Sequence, residues 1–237
     1  MNAQLGHQII FGDTLLLLLP ERAVWWEAER CLIVSDLHLG KAERMARRGG
    51  ALVPPYESLE TISRLSDLIG RWAPAHVLCL GDSFDDNAAE RALDPAVLEA
   101  LTQLMAGRRW TWVLGNHDPG PVELGGSCTR EVRIGEVDFR HIAKSAPATL
   151  EISGHYHPKA SVRGARRPAF VLDAQRLIMP AFGTYTGGLD VSDPAIAGLM
   201  GSGAQAILSG KTMVPIPLAA CTQPPAPSPV RWARGLG

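Results

Sequence analysis

"VLGNHDPG", residues 113–120, begins as an apolar strand and ends in a polar corner. Asn116, His117 and Asp118 stand together between Gly115 and the Pro119-Gly120 pair. Alone, such a corner is ordinary turn chemistry, because Asn and Asp favour these positions. Its meaning depends on whether other strand ends carry matching groups, and four do. "VSDLHLG" (34–40) supplies Asp36 and His38, "LCLGDSFDD" (78–86) supplies Asp82, "DFRHI" (138–142) supplies His141, and "ISGHYHP" (152–158) supplies His155 and His157. In extended chain, residues i and i+2 point to the same side, so Asp36/His38 and His155/His157 can each reach one ion. Gly81, Gly115 and Gly154 each precede a candidate ligand, where a residue without Cβ lets the backbone turn sharply and approach closely.

Each corner taken singly has a bland reading as a turn, a polar surface or a half-buried histidine. Five corners in this order, each closing an apolar strand, do not. Mixed carboxylate, amide and imidazole without thiolate suits catalytic Mn²⁺, Fe or Zn²⁺ rather than a structural zinc. Seven candidate ligands exceed one tetrahedral ion but suit two ions with open positions, about 3.5–4 Å apart, the usual hydrolytic clamp on a phosphoryl group. His7 and His76 join no such group and read as structural.

The rest of the chain frames these corners. "CLIVSD", "HVLCLGD" and "WTWVLGNHD" are short apolar runs, the pattern of strands buried on both faces. Tyr56, Leu59, Ile62, Leu65, Leu68 and Ile69 recur at helical spacing. "DPAVLEALTQLMAG" is a marked helix, with Asp94 as cap, Pro95 in the first turn and Gly107 after the end. "HQIIF" pairs with the "LLLLL" run, and "EVRIGEVDFRH" forms a hairpin about Gly135-Glu136. After residue 130 strands follow one another without a long helix. Alternation followed by a run of strands implies two sheets packed face to face with helices outside. The expected domain is 1–215, followed by a Pro-rich tail, 216–237, in which Trp232 is the one residue suited to docking.

Composition narrows the class. Net charge is −1, so any grip on nucleic acid must come from local basic clusters. Cys31, Cys79, Cys128 and Cys221 form no CxxC, which argues against a zinc knuckle and fits a reduced compartment. "LLLLLP" is too short to span a membrane and lacks a basic segment before it, so a cytoplasmic protein is expected.

The ordered set Asp36-x-His38, Gly81-Asp82-x-x-Asp85, Gly115-Asn116-His117-Asp118, His141 and Gly154-His155-x-His157 resembles the calcineurin-like metallophosphoesterase superfamily. "SDLHLGKAERMARRGG", "LGDSFDD", "GHYHP" and "RPAFVLDAQRLIMPAFGTYTGGLDV" narrow it, looking like the bacterial ligase-associated DNA damage response endonucleases over roughly residues 10–215. Two segments depart from that pattern: relatives often carry His where Asp85 stands, and an "RHEP"-like segment where this chain has "RHIAKS". The resemblance implies a four-layer α/β/β/α sandwich of two packed mixed sheets flanked by helices, with two divalent ions at one rim. Mn²⁺ is the first choice of metal, then Fe or Zn²⁺. One ion would be held by Asp36, His38, Asp82 and His157, the other by Asp82, Asn116, His141 and His155, with Asp82 bridging. A hydroxide shared by both ions would attack phosphorus. His117, not a ligand, would stabilise charge and protonate the leaving group, oriented by Asp118.

DNA is the implied substrate, in DNA repair, with a DNA ligase, a helicase and an exonuclease as functional associates. Lys41, Arg44, Arg47 and Arg48 follow the first ligand pair. If helical, the three arginines share a face able to grip phosphates, against the bland reading of a solvated helix. Arg163, Arg166 and Arg167 offer a second patch, and "GTYTGG" (183–188) either lines the pocket or is a plain turn. The alternatives are a phosphodiesterase or phosphatase of the same fold acting on a nucleotide, cyclic nucleotide or other small phosphoester, and a non-catalytic protein-interaction scaffold. The last conflicts with a full ligand set.

Overall fold

The structure, a computed structural model, describes residues 6–47, 49, 56–86, 88–120, 122–162 and 164–221. Among them the first sheet holds seven strands in chain order: β1 (His7–Phe11), β2 (Thr14–Leu18), β3 (Val24–Trp26), β4 (Cys31–Val34), β5 (His76–Leu80), β6 (Arg109–Val113) and β7 (Ser127–Thr129). Tight turns make β1 to β4 antiparallel; helical crossovers make β4, β5 and β6 parallel. The crossovers carry α1 (Lys41–Arg47), α2 (Glu57–Trp72) and α3 (Pro95–Met105).

The second sheet uses β8 (Glu131–Ile134), β9 (Val137–Arg140), β10 (Leu150–Ser153), β11 (Lys159–Val162), β12 (Ala165–Leu172), β13 (Arg176–Ile178), β14 (Gln205–Leu208) and β15 (Val214–Pro217), ordered β15-β14-β12-β13-β10-β9-β8 with β11 on β12. Two four-residue helices, α4 (Pro194–Ala197) and α5 (Leu218–Cys221), accompany it.

Alternation along β5 explains the layering. Val77 and Cys79 face α2 and α3, in a core with Leu65, Leu68 and Leu101. Leu78 and Leu80 face the other way, into a core between the sheets shared with Phe139, Ile152, Phe170 and Leu177. Each such side chain, fully buried, stabilises the fold by roughly 1.5–3 kcal/mol. The outer face of the second sheet is covered more thinly, by α4, α5 and their loops around Val171, Ile196 and Leu218. The expected α/β/β/α order is present, with a reduced fourth layer.

Asp94 caps α3 by accepting from the Ala96 N–H, and Pro95 occupies its first turn. The hairpins β1–β2 and β8–β9 pair as the sequence implies. Tyr56 and Leu59, expected on the buried stripe of α2, are instead exposed. Ordered structure also runs past the boundary expected after residue 215. β15 pairs with β14 through Pro217, and Leu218 of α5 is buried in the outer core. Residues 222–237, with Trp232, lie outside the described residues. No helix among the described residues is long and apolar enough to cross a membrane.

Candidate metal centre

Strands β4, β5 and β6 are parallel, so their C-terminal ends share one rim. β9 and β10 of the second sheet, parallel to each other, bring His141 and His155 to the same place, because each residue lies just past its strand's end. The two sheets are stitched there by backbone bonds, with Phe182 N–H donating to Ser35 O (2.7 Å) and Gly183 N–H to Asp36 O (3.0 Å).

The ligand loops are not extended chain. Asp36 (φ 54°), His38 (48°), Asp82 (46°), His155 (72°) and His157 (45°) all adopt left-handed backbone. Contrary to the extended chain expected from the sequence, single-residue left-handed turns, not strand alternation, aim these side chains inward. Asp and His are among the residue types that tolerate this conformation, at about 1–2 kcal/mol each. The glycines are close-approach points. A Cβ on Gly154 would collide with Ser35 Oγ and Asp36 Oδ2, and one on Gly115 with Asp82.

Among the described residues three groups of ligand-type atoms result: His38–Asp85–His117, and two trios at the centre, Asp36–His38–His157 and Asp82–His141–His155. In the first trio, His157 Nε2 lies 3.1 Å from Asp36 Oδ1 and 3.3 Å from His38 Nε2. In the second, His141 Nε2 lies 3.3 Å from Asp82 Oδ2, 3.2 Å from His155 Nδ1 and 3.0 Å from Asn116 Oδ1. Asp82 Oδ2 also stands 3.9 Å from His38 Nε2 and 4.0 Å from His117 Nε2. One carboxylate oxygen thus faces both trios. All seven sequence-predicted ligands meet at this rim.

Tautomers are set from behind. His141 Nδ1 is 3.0 Å from the Leu80 carbonyl and His117 Nδ1 is 3.0 Å from the Asp85 carbonyl. A carbonyl only accepts, so each Nδ1 carries hydrogen and each Nε2 is turned to the centre. His38 Nδ1 is likewise held by Asp85 Oδ1 at 2.9 Å. Burial alone would lower the pKa of His141, but its bond to Asp82 and the charges of Asp36 and Asp82 push it up to about 9. Burial works against ionising Asp36 and Asp82; their histidine partners nonetheless hold both carboxyls below the usual range. Two ionised, buried carboxylates call for positive charge, and a divalent ion that displaces the His141 proton fits this set of carboxylate, imidazole and amide donors.

Asp118 requires a correction. Its carboxylate does not hold the His117 ring. It accepts four backbone N–H groups, from Asp82 (3.0 Å), Ser83 (2.7 Å), Phe84 (3.1 Å) and Gly115 (2.9 Å). Buried carboxylate and loop amides satisfy each other, so Asp118 ties the Asp82 loop to the Asn116 loop.

The basic stretch is also redistributed. Arg44 is only partly exposed and ion-pairs with Asp85, behind His38. Lys41 Nζ donates to Tyr185 O at 3.1 Å, Arg47 ends α1, and Arg48, like Arg163, lies outside the described residues. The motif included Asp85, but its role was not foreseen: its carboxylate holds His38 and Arg44, and its main-chain carbonyl holds His117. Sequence reasoning also missed Glu57, which is buried and caps α1 by accepting from the Lys41 N–H at 2.9 Å.

The fold is similar to the crystal structure of Pseudomonas putida nuclease MPE, with TM-score 0.72 and 27% identity, covering 89% of this chain and 99% of that one. Yfce, a phosphoesterase from E. coli, is a more distant likeness, with TM-score 0.42 and 13% identity, covering 79% of this chain and 98% of that one. No curated protein matches the chain. Residues 29–167, more than half of the 237, match the calcineurin-like phosphoesterase family and contain all seven candidate ligands together with Gly81, Gly115 and Gly154. The rim carries His/Asp groups that could hold a metal ion, and the chain belongs to the calcineurin-like phosphoesterase family.

Proposed function

We propose that this enzyme is a two-metal phosphodiesterase that cuts DNA. The observation that carries the reading is Asp82 Oδ2, set between the two trios at 3.3 Å from His141 and 3.9 Å from His38. A shared carboxylate oxygen suits a pair of ions rather than one. In this reading Asp36, His38, Asp82 and His157 hold one ion, and Asp82, Asn116, His141 and His155 the other. When bound, the ions polarise the phosphoryl oxygens and bring the pKa of water towards about 7; Mn²⁺ is favoured, then Fe or Zn²⁺.

The protein's own groups do the rest. His117 is partly exposed, with its Nδ1–H locked on the Asp85 carbonyl, so Nε2 points at the space a phosphate would enter. There, once Nε2 also carries a proton, the imidazolium donates to a non-bridging oxygen or passes that proton to the departing alkoxide, a contribution of about 10²–10⁴ in rate. Its placement depends on the hydrogen bond from the His117 N–H to Asp82 Oδ1 (2.9 Å). Asp118 fixes the two loops that carry Asp82 and His117.

DNA as substrate is supported by the nuclease likeness over 99% of that chain's length. A repair role beside a ligase, a helicase and an exonuclease extends the sequence resemblance, and a gene neighbourhood lacking all three would count against it. The deciding experiment is an activity panel with Mn²⁺ on single-stranded DNA, nicked DNA, cyclic nucleotides and a small aryl diester. Cleavage of DNA lost on exhaustive chelation and restored by Mn²⁺ is expected; full activity in chelator overturns the metal reading, and turnover of only small diesters overturns the nuclease reading.

A further inference from the structure

The "GTYTGG" loop belongs to the metal centre's wall. Gly183 N–H bonds Asp36 O, Leu189 N–H bonds Tyr156 O at 3.1 Å, and a Cβ on Gly188 would strike His157 O. Cations from five separate places converge on its carbonyls. Arg22, beyond β2, donates to Gly183 O (3.3 Å), Arg64 of α2 to Phe182 O, Lys41 of α1 to Tyr185 O (3.1 Å), Lys159 of β11 to Thr186 O (2.9 Å) and Arg166 of β12 to Gly188 O (3.1 Å).

Carbonyls are neutral, so this collar keeps its positive charge. Arg22, Arg64 and Lys159 also line a cavity of about 360 Å³ whose one carboxylate is Glu60. Glu21 acts on Arg64 from further off. The cations repel one another. Arg22 is pushed down to about 10 by burial and then by Arg64; Lys159 is lowered by burial and then by Arg166, Arg22 and Lys41. On a molecule of net charge −1, this is a local excess.

Above the collar stand two aromatics. Tyr185, in left-handed backbone (φ 54°), is 51% exposed, and Tyr56 at the start of α2 is 55% exposed. The two phenols are near enough to bond to each other. Positive charge that tracks a phosphate backbone, combined with exposed aromatic rings, is how proteins hold unpaired strands.

We propose that the 182–188 loop is a docking track for single-stranded nucleic acid. Tyr185 and Tyr56 stack on a base, and Lys41, Lys159, Arg22 and Arg166 take the flanking phosphates. The strand then enters the metal centre from its Asp36–His157 side. This rests on the nuclease reading above.

The test uses the full chain in chelator, so that nothing is cut, with a fluorescein-labelled oligothymidylate of about a dozen nucleotides and an abasic strand of equal length read by anisotropy. Tyr185→Ala weakens the base-bearing strand about tenfold and leaves the abasic strand unchanged, while Tyr185→Phe binds as wild type. Tyr56→Ala, on a different element, repeats the result if Tyr185→Ala does not fold. Lys159→Gln with Arg166→Gln lowers the slope of log K against log salt by about 1.4, roughly 0.7 for each lost contact. Wild-type affinity in the tyrosine variants, equal losses on both strands, or an unchanged salt slope overturns the track. If wild type with Mn²⁺ cuts the strand while the variants bind normally, only the track falls; if wild type neither binds nor cuts it, the nuclease reading falls first and takes the track with it.

Discussion

Strand β5 begins on the polar His76 and is followed, past Gly81, by the polar Asp82, and the two ends have opposite electrostatics. At its start His76 is buried, with Nδ1 2.8 Å from Arg109 Nη2 and Nε2 2.9 Å from Thr111 Oγ1. Burial and the neighbouring cation push its pKa down to about 4, so it is a neutral core group. Past the other end, Asp82 faces His141, which carboxylates push up to about 9. Both histidines are almost fully buried, and both are hydrogen-bonded. The sign of the charge beside each sets the opposite directions of their shifts.

The largest effect that would sharpen this contrast lies at Asp82. Asp82→Asn should lower activity at least about 10³-fold, the upper end of losses for a single electrostatic group, and lower bound metal by elemental analysis. Unchanged metal stoichiometry would deny Asp82 its bridging role. His117→Ala comes next, slowing turnover about 10²–10³-fold with metal content intact; loss of both ions in that variant would make His117 a ligand. Asp85→Asn, which loosens the hold on His38 Nδ1, should weaken metal binding by about 10–100-fold in a chelator competition.

The smallest effect concerns the other end of β5. The folded pKa of His76, about 4, lies below the unfolded value of about 6.5, so between these pH values the unfolded chain binds more protons. The stability tied to neutral His76 is complete above pH 6.5 and is lost as pH falls towards 4, by roughly 1–3 kcal/mol. Urea unfolding at pH 7 and pH 4.5 should therefore show a smaller acid loss in His76→Gln than in wild type. Parallel losses would break the comparison at this end.

Much of the rim was legible because its residues follow short apolar strands, and parallel strands must end together. The candidates Asp36, His38, Asp82, Asn116, His141, His155 and His157 were read from strand ends and ligand chemistry, and their division between two ions came from the family resemblance. The backbone that aims them was not legible: no periodicity announces left-handed Asp36 or His157. Nor was the role of Asp118, because sequence adjacency to His117 suggested a side-chain bond, whereas the unmet amides of the Asp82 loop compete for the same carboxylate. Arg44 was lost to Asp85 for a similar reason, since a buried carboxylate demands a partner. Arg22, Arg64 and Lys159 carry no motif; their convergence on one loop exists only after both sheets have docked.

That docking has a kinetic side. The rim joins Asp36 to residues as distant in sequence as His155 and Gly183, through His155 N–H to Asp36 Oδ2 (3.1 Å) and Gly183 N–H to Asp36 O. Contacts of such span are late and slow to form, because chain closure must precede them. The centre is thus a product of nearly complete folding. A divalent cation that recognises only the finished rim shifts the folding equilibrium by mass action, so metal availability governs how long a newly made molecule stays assembled as well as whether it turns over substrate.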